Sequence, residues 1–251
     1  MTSGPALFCR FAFPPNLLGY CGPEETGLLG EIIPAGDVAL DDLRHVAPAF
    51  TGAWPYLELI AGATGRDPLD AEVVEAYWLG SELLERVDLL DMGNSIDDRF
   101  RRRAGTDWAV ISGALNAGAR PTHSFHVFCV YPGVGLLRSG AVEPSLRVLD
   151  RCRIRWGTVT ATTGDALIVR SRPLTWDGWQ LGLGSDVVEA VHPPVDGLEF
   201  AAGDRVAMHW GHACSLLTEE QVRLLERYQA RHLRIANLAG MLTAAGRELS
   251  V

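Results

Sequence analysis

The chain has 251 residues, 47% hydrophobic and 21% charged, the balance of a globular protein with room for one large domain or two smaller ones. Its formal net charge of −9, from 22 Lys and Arg against 31 Asp and Glu, argues against a nucleic-acid partner, because phosphate neutralisation needs clustered cations. No apolar run approaches the roughly 20 residues that span a bilayer, and "MTSGPALFCRF" lacks the charged start and long apolar stretch of a secretion signal, so the expectation is a cytoplasmic protein with no membrane partner.

Five cysteines, Cys9, Cys21, Cys129, Cys152 and Cys214, are odd in number and lack C-x-x-C spacing, which predicts reduced thiols rather than a disulfide framework or a four-cysteine zinc site. In chain order, "FAFPPNLLGYCGP" places Cys21 in a turn composition, between Gly19-Tyr20 and Gly22-Pro23, that leaves a thiol near the surface. Short helices are expected over residues 24–33, 39–48 and 53–63. "RDPLDAEVVEAYWLGSELLERVD" then reads as one helix, with Asp67 as cap, Pro68 at the first helical position and a buried stripe of Val73, Ala76, Tyr77, Gly80, Leu83, Leu84 and Val87.

Further helices are expected over 94–103 and 106–116. In "DLLDMGNSIDDRF" the carboxylates Asp91, Asp97 and Asp98 do not match a calcium loop, and Asn94 or Ser95 as a helix cap accounts for the acidic start. Arg99 and the run Arg101 to Arg103 read as a helix end. "SFHVFCVYP", residues 124–132, reads as a strand ended by Pro132 and followed by the glycine-rich turn "PGVGLLRSG". On a strand His123 and His126 point to opposite faces and His126 and Cys129 diverge, which argues against a metal cluster of these three.

From about residue 151 the texture changes. "CRIRWGTVTAT", "ALIVRSRPL", "WQLGLGSDVVEAV" and "DRVAMHWGHA" are short β-branched segments punctuated by Gly, Pro and Asp, at the spacing of a small barrel or sandwich. "PLTWDGWQLGLG", with Trp176 and Trp179, reads as an insertion between strands, either a partner-binding loop or aromatic packing. The last element is a helix opened by a Thr218–Gln221 capping box, with Val222, Leu225, Tyr228, His232 and Ile235 on one face. The expected fold class is α+β: a mainly helical unit over 1–146, then a small barrel and C-terminal helix over 147–251. No P-loop, strand-to-helix G-x-G-x-x-G or G-x-S-x-G elbow occurs, so nucleotide-dependent and α/β-hydrolase chemistry have no support.

Cys152, Gly157 and Val159 form C-x4-G-x-V, and "GDRVAMHWGHA" supplies Gly203, Asp204, Val206, His209, Gly211 and Ala213, followed by a helix that starts "TEEQ". This combination resembles the HypC/HybG/HupF family of hydrogenase maturation chaperones, over residues 152 to about 238. The amino-terminal half resembles an uncharacterised domain family found near hydrogenase genes. The first resemblance implies an OB-like barrel and a non-enzymatic carrier that binds iron bearing cyanide and carbon monoxide. It also implies a HypD-type scaffold partner and delivery to the precursor of the nickel-iron hydrogenase large subunit.

Carried over by position, Cys152 would supply a thiolate and His209 the accompanying ligand or hydrogen-bond partner, with Cys21 and Cys214 as weaker metal candidates. Thiolate and imidazole are suitable donors for such iron. In that family the cysteine lies at the extreme amino terminus, whereas Cys152 is internal. Two alternatives stand beside the carrier. One is a thiol enzyme with Cys152 or Cys21 as nucleophile and His209 as base, and the other is a metal-free docking module of a hydrogenase-related complex.

Overall fold

The computed structural model describes residues 2–24, 29–30, 33, 40–104, 108–194 and 197–248. Its first element, α1 (Gly4–Leu17), opens on Ser3, whose hydroxyl accepts from the Ala6 amide, and runs through Pro14 and Pro15. Leu7, Phe8, Cys9, Phe11 and Ala12 are all buried, so α1 is apolar on nearly every side and shows no amphipathic stripe by which sequence could mark it. The helix expected over 24–33 lies mostly outside the described residues. Helices α2 (Leu40–Val46) and α3 (Trp54–Thr64) fall where the sequence places them.

The long helix expected from Asp67 is divided. Asp67 accepts from the Leu69 amide, α4 spans Ala71–Trp78, and a tight 3-10 turn over Glu82–Arg86 follows Gly80, whose φ is 91°. Apart from half-buried Leu83 the stripe stays buried across that break, with the Tyr228 ring packed directly on Gly80. Helix α5 (Leu89–Ala104) begins earlier than expected, with Asp88 accepting from the Leu90 amide, so Asn94 and Ser95 lie inside the helix and do not cap it. The run Arg101 to Arg103 falls in its last turn, and α6 spans Trp108–Asn116.

The strand expected over 124–132 is helical. Thr122 caps a segment, α7, that starts as His123–Phe125 and widens into a π-turn over His126–Val130, with the Thr122 hydroxyl accepting from the Phe125 amide. A short apolar run buried on all sides has no period that separates strand from helix, and the cap decides the matter. The glycine-rich turn is also helical, as α8 (Gly133–Arg138), and α9 (Val142–Cys152) follows. Cys152 therefore ends a helix rather than opening a strand.

Seven strands follow: β1 (Arg155–Thr163), β2 (Ala166–Ser171), β3 (Leu174–Trp176), β4 (Leu181–Leu183), β5 (Val187–Val191), β6 (Arg205–His209) and β7 (His212–Leu216). Five form an antiparallel sheet in the order β5-β2-β1-β6-β7. β1 approaches β2 so closely at Gly157 that a Cβ there would lie 2.4 Å from Val169 Cγ1 and 2.6 Å from the Arg170 carbonyl.

Mixed helix and sheet with a helical C-terminal segment is as expected, but the sheet is not a closed barrel. Its edge strands meet only at the His192–His212 bridge. The segment holding Trp176 and Trp179 leaves the sheet as the β3-β4 hairpin and fastens to the last helix, α10 (Glu219–Glu248), through paired hydrogen bonds of 2.9 Å between Leu181 and Asn237.

The Thr218–Gln221 capping box is present, and Val222, Leu225, Tyr228, His232 and Ile235 are all buried. The larger apolar core draws on both sides of residue 146, joining Phe8, Leu57 and Tyr77 to Ile154, Ala207 and Leu225. A smaller cluster, including Val159, Val169, Val206 and Met208, fills the curl of the sheet.

A buried ionic network fixes the junction of α9 and β1. Arg153, 3% exposed, donates from Nε and Nη2 to Asp150 Oδ1 at 3.0 and 2.9 Å and from Nη1 to Gln229 Oε1 at 3.1 Å. Arg155 pairs with Glu189 at 2.8 Å and reaches Asp150 Oδ2 at 3.5 Å. Removing one partner of such a group leaves a charge without compensation, which costs about 3–5 kcal/mol. Asp150→Ala is predicted to lower the urea unfolding free energy by about 3 kcal/mol, and a loss below about 1 kcal/mol would contradict this account of the junction.

Candidate metal centre

The ligand atoms of His123, Cys152 and His209 lie within 4.8 Å of one another where α7, the end of α9 and the end of β6 meet. Each arrives by a different local device. His209 ends β6 and pairs in register with His212 across a two-residue turn, Trp210–Gly211, whose φ values are 51° and 80°. Positive φ at both central residues is the hairpin geometry that usually selects Asn-Gly. Trp210 is the sole non-glycine residue with positive φ among the described residues, a conformation that costs about 1–2 kcal/mol for a side chain of this kind. Its amide donates to the Arg151 carbonyl at 2.9 Å, which ties the turn to the end of α9 beside Cys152.

The proton on His209 is placed by the first helix. Nδ1 lies 2.6 Å from the Phe11 carbonyl and donates to it. In the neutral ring Nε2 then carries a lone pair with no hydrogen-bond donor facing it, and the Cys152 carbonyl, itself only an acceptor, lies close to the ring. A ring nitrogen so oriented by a backbone carbonyl, with the other nitrogen bare, is the usual state of a metal-ligating histidine.

His123 has two settings. Nδ1 is 3.0 Å from the Tyr77 hydroxyl, which also lies 2.8 Å from the Gly52 carbonyl, while Nε2 is 2.8 Å from the Cys152 carbonyl and 3.8 Å from its sulfur. With the Tyr77 proton on Gly52, Nδ1–H donates to the phenol oxygen and Nε2 is free to ligate. With the Tyr77 proton on His123, Nε2–H donates to the Cys152 carbonyl. The two settings differ both in the direction of the Tyr77 hydroxyl and in which ring nitrogen of His123 carries the proton.

α10 holds this arrangement from behind. His232, fully buried, accepts from the Arg120 amide at Nε2 (3.1 Å) and donates from Nδ1 to Ser124 Oγ (2.7 Å), so it is a satisfied core histidine that pins the start of α7.

Burial sets the electrostatics. His123 is pushed down to about 4 by loss of water, against the pull of the Cys152 carbonyl, and His209 falls well below its ordinary value through burial and the neighbouring His123. Burial raises the Cys152 thiol to about 12, with Cys21 adding to the rise and the Trp210 indole opposing it. The site therefore offers two neutral imidazoles and a thiol that gives up its proton only to a cation.

These groups border a cavity of about 120 Å3 whose lining is largely aromatic, and no carboxylate is among the described residues that line it. Cys21 lies at its edge, on the exposed loop after α1 that Asn16 Nδ2 holds through the Cys21 and Pro23 carbonyls at 3.1 and 2.9 Å.

Of the residues singled out in the sequence, Cys152 and His209 meet and Cys21 borders the same cavity. Cys214 does not: it is buried outside the cavity lining, with its thiol 3.5 Å from the His212 carbonyl. His123 completes the cluster from α7; the sequence sets it only beside His126 and Cys129, and those three form no metal-ligating group among the described residues. His126 lines the cavity with its Nδ1 3.3 Å from the Tyr56 hydroxyl, and Cys129 faces the His232 carbonyl. All five cysteines are free thiols.

The family model of DUF6390, a family of unknown function, matches residues 1–242. No curated protein and no solved structure matches the chain. Among the described residues no helix is long and apolar enough to cross a membrane.

The depressed histidines fix a pH dependence. Between the ordinary histidine value near 6.5 and the lowered value of about 4 for His123, the unfolded chain binds protons that the fold refuses. His209 and His232 act in the same direction. The stability from neutral burial is complete above about pH 6.5 and is lost as pH falls toward 4, by up to about 1.4 kcal/mol per pH unit for each histidine. Urea midpoints at pH 7.5, 6 and 5 are predicted to fall steadily, and an unchanged midpoint across that range would contradict the neutral burial of these rings.

Proposed function

The chain belongs to DUF6390, a family of unknown function, and we propose that it is a metal-carrying accessory protein. In this reading it holds iron bearing cyanide and carbon monoxide at Cys152, His209 and His123, and escorts that iron to a nickel-iron hydrogenase large-subunit precursor with a HypD-type scaffold. The observation that carries the proposal is the bare, buried Nε2 of His209 beside a thiol and a second imidazole. A buried polar atom left unpaired costs about 1–3 kcal/mol, and a metal ligated there would recover that energy.

The donor chemistry supports the cargo. Thiolate and imidazole suit iron, zinc and copper, while a site for magnesium or calcium would need the carboxylates that this lining lacks. The aromatic walls would keep water from ligands that must survive transfer, and Cys21 at the edge could complete or release the coordination as the cargo changes hands. The two positions singled out by resemblance, Cys152 and His209, are brought together by elements 57 residues apart in the chain. The thiol-enzyme alternative needs a thiolate near neutral pH, and burial drives Cys152 the other way.

Anaerobic titration with Fe(II) tests the reading. Saturable binding of one ion is predicted. Its affinity should rise about tenfold per pH unit between pH 6.5 and 8, because the thiol of Cys152 must lose a proton while the histidines are already neutral. Cys152→Ser and His209→Gln are each predicted to weaken binding at least about a hundredfold, and Tyr77→Phe about tenfold by unfixing the His123 proton. Absent or non-saturable Fe(II) binding, or binding indifferent to Cys152→Ser and His209→Gln, would favour the metal-free docking module instead.

A further inference from the structure

Among the described residues four buried side-chain nitrogen or oxygen atoms lack a hydrogen-bond partner, and three of them belong to residues lining this cavity: His209 Nε2, Trp78 Nε1 and Trp210 Nε1. The first is an acceptor and suits a cation. The other two are N–H donors: the Trp210 indole lies toward the Cys152 thiol and the Trp78 indole has no other partner, so both can donate to an acceptor that enters the cavity.

We propose that the Trp78 and Trp210 indole N–H groups recognise a small monodentate anion, of the azide, cyanide or thiocyanate class, held beside the ligand atoms of His123, Cys152 and His209. The proposal rests on the metal-centre reading and deepens it by assigning the residues that select what the metal carries. Trp78 packs against both histidines, its ring centroid 4.7 Å from that of His123 and 5.6 Å from that of His209. Trp210 holds a left-handed backbone conformation that Asn or Gly would adopt without strain, so the reason for an indole there lies in the side chain. That side chain is buried, stacks on Tyr20 with centroids 4.0 Å apart and closes one wall of the cavity.

The chemistry narrows the ligand. Two donors and no lining Lys or Arg select an acceptor whose charge is balanced by the metal rather than by the protein. The space beside the ligand atoms is small, about 120 Å3, which favours an anion of few heavy atoms. Its metal-bound end takes an open coordination position, and the far end accepts from the indoles.

The test uses the full chain loaded with Co(II), a visible-light reporter of coordination, titrated with sodium azide. Saturable azide binding is predicted for the Co(II)-loaded protein and none for the metal-free protein. Trp78→Phe and Trp210→Phe are each predicted to weaken azide about tenfold, as expected for one hydrogen bond to a charged group, with Co(II) affinity unchanged within about twofold in Trp78→Phe. Should Trp210→Phe fail to fold, Trp210→Asn suits the turn and removes the same donor.

Azide affinity indifferent to both substitutions, in protein that still takes up Co(II), would overturn this proposal alone. An equal loss of Co(II) and azide in Trp210→Phe would also overturn it, by assigning that N–H to the Cys152 thiolate. No uptake of Co(II) by the unsubstituted chain would remove the metal centre, and this proposal with it.

Discussion

The hydrogen bond from His209 to the Phe11 carbonyl is the contact on which the site depends. It joins the first helix to a strand near the other end of the chain, 198 residues apart in sequence. It also puts the ring proton on Nδ1. Everything chemically distinctive about the cavity follows from the nitrogen this leaves bare. A protonated or rotated His209 would be an ordinary core histidine, and Cys152 would then be a thiol raised by burial with no cation to meet.

The surrounding structure resists such a rotation. His209 is anchored on one side by α1 and on the other by the tight turn to β7, whose central tryptophan is tied to the end of α9. The end of α9 is fixed in turn by the Arg153, Asp150 and Gln229 network, and Gln229 also donates to the Ile154 carbonyl. α10 therefore reaches the site twice, through Gln229 beneath Cys152 and through His232 behind His123. Three side chains from three segments are held in place by groups outside the cluster, which is how a candidate metal site keeps its geometry.

The sequence made part of this legible. The capping box at Thr218, the buried face of α10 and the β texture after residue 151 depend on local spacing, and local spacing is what a sequence displays. The Cys152 and His209 pair was legible only through resemblance, because no spacing rule links residues so far apart. What escaped notice was the role of elements without periodicity. α1 and α7 are apolar all round, so neither shows a helical stripe, and α7 passed for a strand until its Thr122 cap and π-turn were in view. His123 has no local mark either, since its partners Cys152 and His209 lie on other elements far along the chain. The barrel differs for a related reason: closure would need long-range pairing of the edge strands β5 and β7, which among the described residues meet at the His192–His212 bridge, and such pairing carries no local mark.

The account's central claim is that Cys152 anchors iron with diatomic ligands in this cavity. Infrared spectroscopy of the protein, purified without oxygen from cells expressing nickel-iron hydrogenase genes, tests it most directly beside a Cys152→Ala variant. The account predicts bands in the cyanide and carbonyl stretching region that vanish in the variant. A native protein without such bands, even when purified together with a HypD-type partner, would contradict it.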